Sequence, residues 1–181
     1  MKILHTADWH LGAYVGSQCD EPYKRMGNTM RCLDKLVETA KQEKPDIILI
    51  CGDIWHQAKT WSDRSNIELR VAAEYIEKLK DISPVAVLYG TPNHDSEEMF
   101  KNLEWICRDD TEDYLVRTWF FSKPELVIIE TKSGPIQVAG LPGFDKGHFR
   151  AQFPGLSAEE ENQVFSQQLD TIIQGLSAQV D

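Results

Sequence analysis

The segment Asp46-Ile-Ile-Leu-Ile-Cys51, running straight into Gly52-Asp53, constrains the fold more than any other part of the chain. Its five successive apolar residues leave no polar face for solvent. A strand built from them must be covered on both sides, as parallel strands between two layers are. Residues 2–7 form a short apolar run that reads as a buried strand, and Val85-Ala-Val-Leu-Tyr89, set off by Pro84, reads as a third. Between the first two, Met26, Met30, Leu33, Leu36, Val37 and Ala40 recur at helical spacings until Pro45 stops them. Between the second and third, Ile67, Val71, Ala72, Tyr75, Ile76 and Leu79 mark a helix from Ser62 to Lys80. Strand–helix–strand–helix–strand alternation predicts an α/β domain with right-handed crossovers.

A short helix is predicted over 98–107, followed by strands near 115–121, 126–131 and 136–141, with Lys-Ser-Gly-Pro at 132–135 as a turn. The lack of a helix between these strands predicts that the sheet continues antiparallel. Residues 157–178 open on a capping-box pattern, Ser157-Ala-Glu-Glu160. Val164, Phe165, Leu169, Ile172, Ile173 and Leu176 then form a stripe expected to pack on the sheet. The 181 residues fit one domain, 1–181, and a chain of this size buries about 70% of the surface it exposes unfolded.

No apolar run reaches the length of a membrane span, and Asp8 and His10 stand where a signal peptide needs its apolar stretch. Cys19, Cys32, Cys51 and Cys107 form no CxxC pair, so reduced thiols in a cytoplasmic protein are expected. The net charge of −10 lies almost wholly in the second half, where 7 Lys and Arg face 16 Asp and Glu. That distribution argues against a broad electrostatic footprint for nucleic acid, while leaving room for clustered carboxylates that hold cations.

Three polar clusters follow the first three strands: Asp8-Trp9-His10, Gly52-Asp53-Ile54-Trp55-His56 and Asn93-His94-Asp95. Each alone is a common strand-end turn. Together they converge at the carboxyl edge of the sheet, where open α/β sheets bind ligands. Their carboxylates, imidazoles and amide oxygen suit borderline or hard divalent ions such as Mn²⁺, Fe²⁺ or Zn²⁺. Two such ions bridged by Asp53 can activate a water and clamp a phosphoryl group.

With these clusters the sequence resembles the calcineurin-like metallophosphoesterases, whose motifs run D-x-H, G-D-x-x-D/H, G-N-H-D/E, a lone His and G-H-x-H. Within that family it is most similar to the SbcD branch of double-strand-break repair nucleases. The opening MKILHTADWHLG and the ending of the second motif in His56 carry that narrower likeness. It is close from residue 1 to about 100 and looser to about 143, through Val138-Ala-Gly-Leu-Pro142. The resemblance implies mixed β-sheet layers flanked by helices and two divalent ions, Mn²⁺ foremost, with Fe²⁺, Zn²⁺ or Mg²⁺ as alternatives. It implies hydrolysis of DNA phosphodiesters by metal-activated water, an SbcC-type ATPase partner, and a homodimer for which Met26, Met30 and Leu33 are candidates, with core packing an equal alternative for these three. Residue by residue, Asp8 and His10 would hold the first ion, Asp53 would bridge, and Asn93 would hold the second. His94 would act on the scissile phosphate or leaving oxygen, oriented through a hydrogen bond to Asp95, and His56 would contact phosphate.

Two departures accompany the likeness. The third motif reads Gly90-Thr91-Pro92-Asn93-His94-Asp95, two residues longer than the family pattern, and the lone His and G-H-x-H motif are absent. His148 has neighbours that match neither, and is expected in a surface loop. These features predict the N-terminal portion of a longer nuclease, without its later metal motifs and capping domain, and poorly active alone. Trp9 and Trp55 are expected to pack the motif loops, His5 to lie satisfied in the core, and Glu97-Glu98 and Asp109-Asp110 to be solvated. Lys24, Arg25, Arg31, Lys59, Arg64 and Trp61 are candidate DNA contacts. Two rivals stay open: a phosphodiesterase of the same family with a small or protein substrate, and a non-catalytic interaction module on the same fold.

Overall fold

The computed structural model describes residues 1–12, 22–58, 62–109, 116–144, 151 and 153–180. Trp61, Lys59 and His148, and the side chains of Lys24, Arg25 and Arg64, lie outside the described set. The elements follow the order β1 (Ile3–Thr6), α1 (Pro22–Glu43), β2 (Ile47–Cys51), α2 (Ser62–Lys80), β3 (Val85–Leu88), α3 (Glu97–Cys107), β4 (Thr118–Phe121), β5 (Glu125–Ile129), β6 (Ile136–Gly140) and α4 (Ala158–Ser177). Strands β1-β2-β3-β4 form one parallel sheet in sequence order. With right-handed crossovers, that order places α1, α2 and α3 on one face.

The sheet's two faces read directly from strand alternation. Ile48 and Ile50 of β2 and Val85 and Val87 of β3 join the helix-side core, with Leu33, Val37, Ala40, Ala72, Tyr75, Ile76 and Leu79. Ile47, Ala86 and Phe121 point the other way and pack with Ile129 under a second sheet, the antiparallel pair β5–β6. The antiparallel expectation therefore needs correcting: β4 joins the first sheet in parallel, and the hairpin becomes a separate layer. A continuous sheet would leave the apolar underside of β2 and β3 in water, and the hairpin buries it instead.

His5 is exposed, not a core residue. It lies on the edge strand β1, where the two-stranded hairpin does not reach, and Ile3 beside it is 48% exposed. Met26 and Leu33 are buried and Met30 packs against the same core, so this face of α1 is spent inside the domain rather than held open for a second copy. The capping box at Ser157 is present, with the Glu160 N–H donating to Ser157 Oγ and the Ser157 N–H to Glu160 Oε2. The stripe it introduces does not pack on the sheet, however. Among the described residues of α4 only Leu176 is buried, and Phe165 meets Phe144 edge to face at 6.0 Å. Asp109 is also not simply solvated, because it pairs with Lys80 at 3.2 Å and accepts the Arg117 N–H at 2.8 Å.

The hairpin is fastened at the amino edge of the main sheet by one carboxylate. Asp46, 4% exposed, accepts the Lys2 N–H at 2.5 Å and the Ser133 hydroxyl at 2.7 Å. Lys132, next along the hairpin turn, reaches the Lys44 and Pro45 carbonyls at the end of α1, where a cation suits the helix terminus. Ser133, followed by the Lys2 amide, holds the Asp46 carboxyl below the usual carboxylate range. A lowered folded pKa stabilises the protein above the unfolded value of about 3.9, and that contribution is lost as pH falls through the folded value. Asp46→Asn is therefore expected to lower the urea midpoint at neutral pH, with the gap to wild type closing in acid. A gap that stays unchanged as the pH falls through the acid range would assign the effect to shape rather than charge.

Candidate metal centre

Site construction starts from three apolar anchors. Leu11, Ile54 and Trp55 are fully buried, so the loops leaving β1 and β2 are pinned into the core just beyond the strands. The loops continue to pair there: Asp8 N–H donates to Gly52 O at 3.1 Å, His10 N–H to Asp53 O at 3.1 Å, and Leu11 N–H to Ile54 O at 2.8 Å. Between these bonds the backbone turns sharply. Asp8, His10 and Asp53 sit at φ of 55°, 45° and 52°, the left-handed region that non-glycine residues seldom enter. Such strain costs on the order of 1–3 kcal/mol per residue and clusters at functional sites. Trp9, 6% exposed, donates its indole N–H to Thr6 Oγ1 at 3.0 Å, so both Trp9 and Trp55 serve packing.

The third loop is locked to the second by Asp95. Its buried carboxylate accepts the N–H groups of Gly90 at 2.7 Å, Asp53 at 3.0 Å and Trp55 at 3.3 Å. Burial, the largest influence, raises its pKa against the lowering effect of these three donors. The expected Asp95–His94 dyad is thus not what the structure holds. Asp95 spends its oxygens on backbone amides, and His94 Nδ1 instead lies 2.7 Å from the His56 carbonyl oxygen. A carbonyl can only accept, so Nδ1 carries the proton and the Nε2 lone pair is left for the site.

Gly90 makes this closeness possible. A Cβ there would collide with the Asp53 nitrogen, and a Cβ on Gly143 would collide with the Gly90 carbonyl oxygen. Three backbones meet with no room for a side chain.

Two donor groups result. Ligand atoms of Asp8, His10 and Asp53 lie within 4.8 Å of one another, and so do those of His10, His56 and His94. His10 Nε2 is 3.4 Å from Asp8 Oδ1, while its buried Nδ1 has no hydrogen-bond partner among the described residues. Two carboxylates and the one imidazole of His10, whose buried Nδ1 is unpartnered among the described residues, fit a divalent cation. Asn93 is exposed in the same loop, where its backbone carbonyl accepts the Ala58 N–H at 3.1 Å. Beside the loops opens a cleft of about 410 Å³, lined by Pro92, Ser96, Phe100, Lys101 and Ser122 among others.

One contributor escaped sequence reasoning. Thr91, in the two-residue extension of the third motif, donates both its N–H (2.7 Å) and its hydroxyl (3.0 Å) to Asp53 Oδ1. Its carbonyl also accepts the His94 and Asp95 N–H groups at 2.9 and 2.8 Å. The extension is the clamp that orients Asp53, and only its place immediately after a strand end hinted at that.

The calcineurin-like phosphoesterase family matches residues 1–168. The chain belongs to this family. Over 101 residues, 54% of its length, it is also 36% identical to the SbcD component of the SbcCD nuclease of Staphylococcus saprophyticus. The matched part is 24% of that protein, so the chain spans about a quarter of the curated relative. The parallel sheet flanked by helices agrees with the family fold. No helix among the described residues is long and apolar enough to cross a membrane.

Two outcomes are expected. Thr91→Val, which removes one of the two bonds to Asp53, lowers divalent-ion affinity by about tenfold, as loss of a ligand-orienting partner does, measured by calorimetric titration. Asp95→Ala strands three amide donors and costs roughly 3 kcal/mol or more at about 1–3 kcal/mol per unsatisfied buried group, read from urea unfolding.

Proposed function

We propose that this chain carries the N-terminal metal-holding motifs of a dinuclear phosphodiesterase that cleaves DNA, in the manner of the SbcD component of an SbcCD nuclease. The observation that carries the reading is the convergence of Asp8, His10 and Asp53 at one strand edge, held in left-handed backbone that folding alone does not favour. The family match to residues 1–168 supports a metal-dependent phosphoesterase. The narrower nuclease reading, and with it an SbcC-type ATPase partner and a cytoplasmic setting, leans on the relative.

In this reading Asp8, His10 and Asp53 would hold one ion, and Asp53 and Asn93 would contribute to a second, with Mn²⁺ the preferred metal. When bound, the ions polarise the phosphate and supply an activated water. The remaining steps belong to the chain. Thr91 keeps the Asp53 carboxylate from rotating away. His56 faces the phosphate, and His94 stabilises the leaving oxygen. Because His94 Nδ1 already donates to the His56 carbonyl, protonation of that oxygen requires the doubly protonated ring, whose Nε2 proton is the one to give. The excess of acidic residues, 29 against 19 basic, leaves little general attraction for DNA. Phosphate would therefore be engaged locally, at the metal-holding residues and His56, rather than by a basic surface.

Mn²⁺ titrated into the metal-stripped chain is expected to bind saturably, with Asp53→Ala abolishing the heat. Any Mn²⁺-dependent cleavage of a DNA oligonucleotide should fall about 10²–10⁴-fold in His94→Ala, the usual contribution of a positioned acid, with metal binding retained. Cleavage of a small phosphodiester but never of DNA would favour the rival substrate class. Binding indifferent to Asp53→Ala would overturn the proposal.

A further inference from the structure

We infer that His10, His56 and His94 form a second metal site, a three-imidazole pocket for a borderline ion of the Zn²⁺ class, which excludes the carboxylate site because both need His10. Only the inhibitory consequence drawn below rests on the proposed function.

The geometry is specific. The three rings form a compact cluster, with His10 edge-on to both His94 (centroids 4.6 Å apart) and His56 (5.6 Å), and His56 and His94 6.0 Å apart. One ring nitrogen from each lies within 4.8 Å of the others. Nitrogens sharing a tetrahedral Zn²⁺ at about 2.0–2.1 Å stand about 3.4 Å apart. Closing the pocket on an ion therefore takes at most about 1.4 Å of approach between any two of these nitrogens.

His94 is prepared for this in the way metal-bound histidines generally are. Its Nδ1–H donates to a backbone carbonyl, which fixes the tautomer and leaves Nε2 as the donor atom. The carbonyl is that of His56, so the same bond sets two of the three histidines relative to each other. His10 adds a buried nitrogen without a partner among the described residues, a group that costs about 1–3 kcal/mol unless something satisfies it.

Donor chemistry separates the two sites. Three neutral imidazoles favour Zn²⁺ and similar ions, while a site with two carboxylates suits Mn²⁺ or Mg²⁺. An ion held by the imidazoles takes His10 from Asp8 and Asp53, and takes the His94 lone pair from its place beside the leaving oxygen. Zn²⁺ then opposes Mn²⁺ at the same strand edge, and abundance of the two ions sets whether the site is competent.

The test uses Co²⁺, whose visible absorption reports a tetrahedral nitrogen site, on the metal-stripped chain. An intense absorption is expected that Zn²⁺ displaces, that His56→Ala and His94→Ala abolish, and that Asp53→Asn leaves intact. Absorption lost in Asp53→Asn and kept in His56→Ala would overturn the site while leaving the proposed function standing. The converse pattern, with Mn²⁺ binding indifferent to Asp53→Ala, would sink the proposed function and keep this site. To guard against variants that fail to fold, nitrogen-15 spectra of the histidine rings in the wild-type chain follow Zn²⁺ addition. Shifts of His10, His56 and His94 together, with exposed His5 unmoved, are expected. A shift of His10 without His56 would refute the inference.

Discussion

One buried carboxylate holds the centre together. Asp95 gathers the amides of Asp53, Trp55 and Gly90, and so makes two loops from different strands behave as one piece. Such bonds to an ionised acceptor are among the stronger ones in proteins, and burial keeps solvent from competing for them. Everything that carries chemistry hangs from this knot. Asp53 is the residue whose amide is held, His94 immediately precedes Asp95, and His56 follows Trp55. Tyr89, whose hydroxyl donates to the Asp95 carbonyl at 2.8 Å, closes the knot from beneath.

The layering does the rest of the positioning. Helices on one face and a hairpin on the other sandwich β2 and β3, so their carboxyl ends are fixed in three dimensions before any loop begins. The hairpin is tied at both ends of the sheet, by Asp46 and Lys132 at one edge and by Gly143 against Gly90 at the other. A site assembled on strand ends inherits that rigidity, and loops alone would not provide it.

Much of this was legible from residue order. The all-apolar β2, the two helical stripes and the three polar clusters at strand ends pointed to the parallel sheet and to the donor groups that meet at its edge, because burial on two faces and convergence at the carboxyl edge follow from local pattern. What was not legible depended on partners distant in sequence. The stripe on α4 declares an amphipathic helix but not what it faces. His5 alternates correctly for a buried position, yet sits on an edge strand beyond the hairpin. The family resemblance implied a dyad of Asp95 with its neighbour His94, while two of the actual donors to Asp95 are about 40 residues away. Thr91 looked like an insertion, since nothing in its own neighbourhood announces that Asp53 lies opposite.

The left-handed backbone at residues 8, 10 and 53 bears on how this protein tolerates change. Glycine enters that region without steric cost, so selection on folding alone favours glycine there over most side chains. Aspartate and histidine stand there instead, which sets thermal robustness against chemistry at the same three positions. Replacements that harden the fold and replacements that keep these candidate donors therefore pull in opposite directions. A laboratory lineage selected for heat resistance alone would drift toward a sturdier protein stripped of its candidate metal donors.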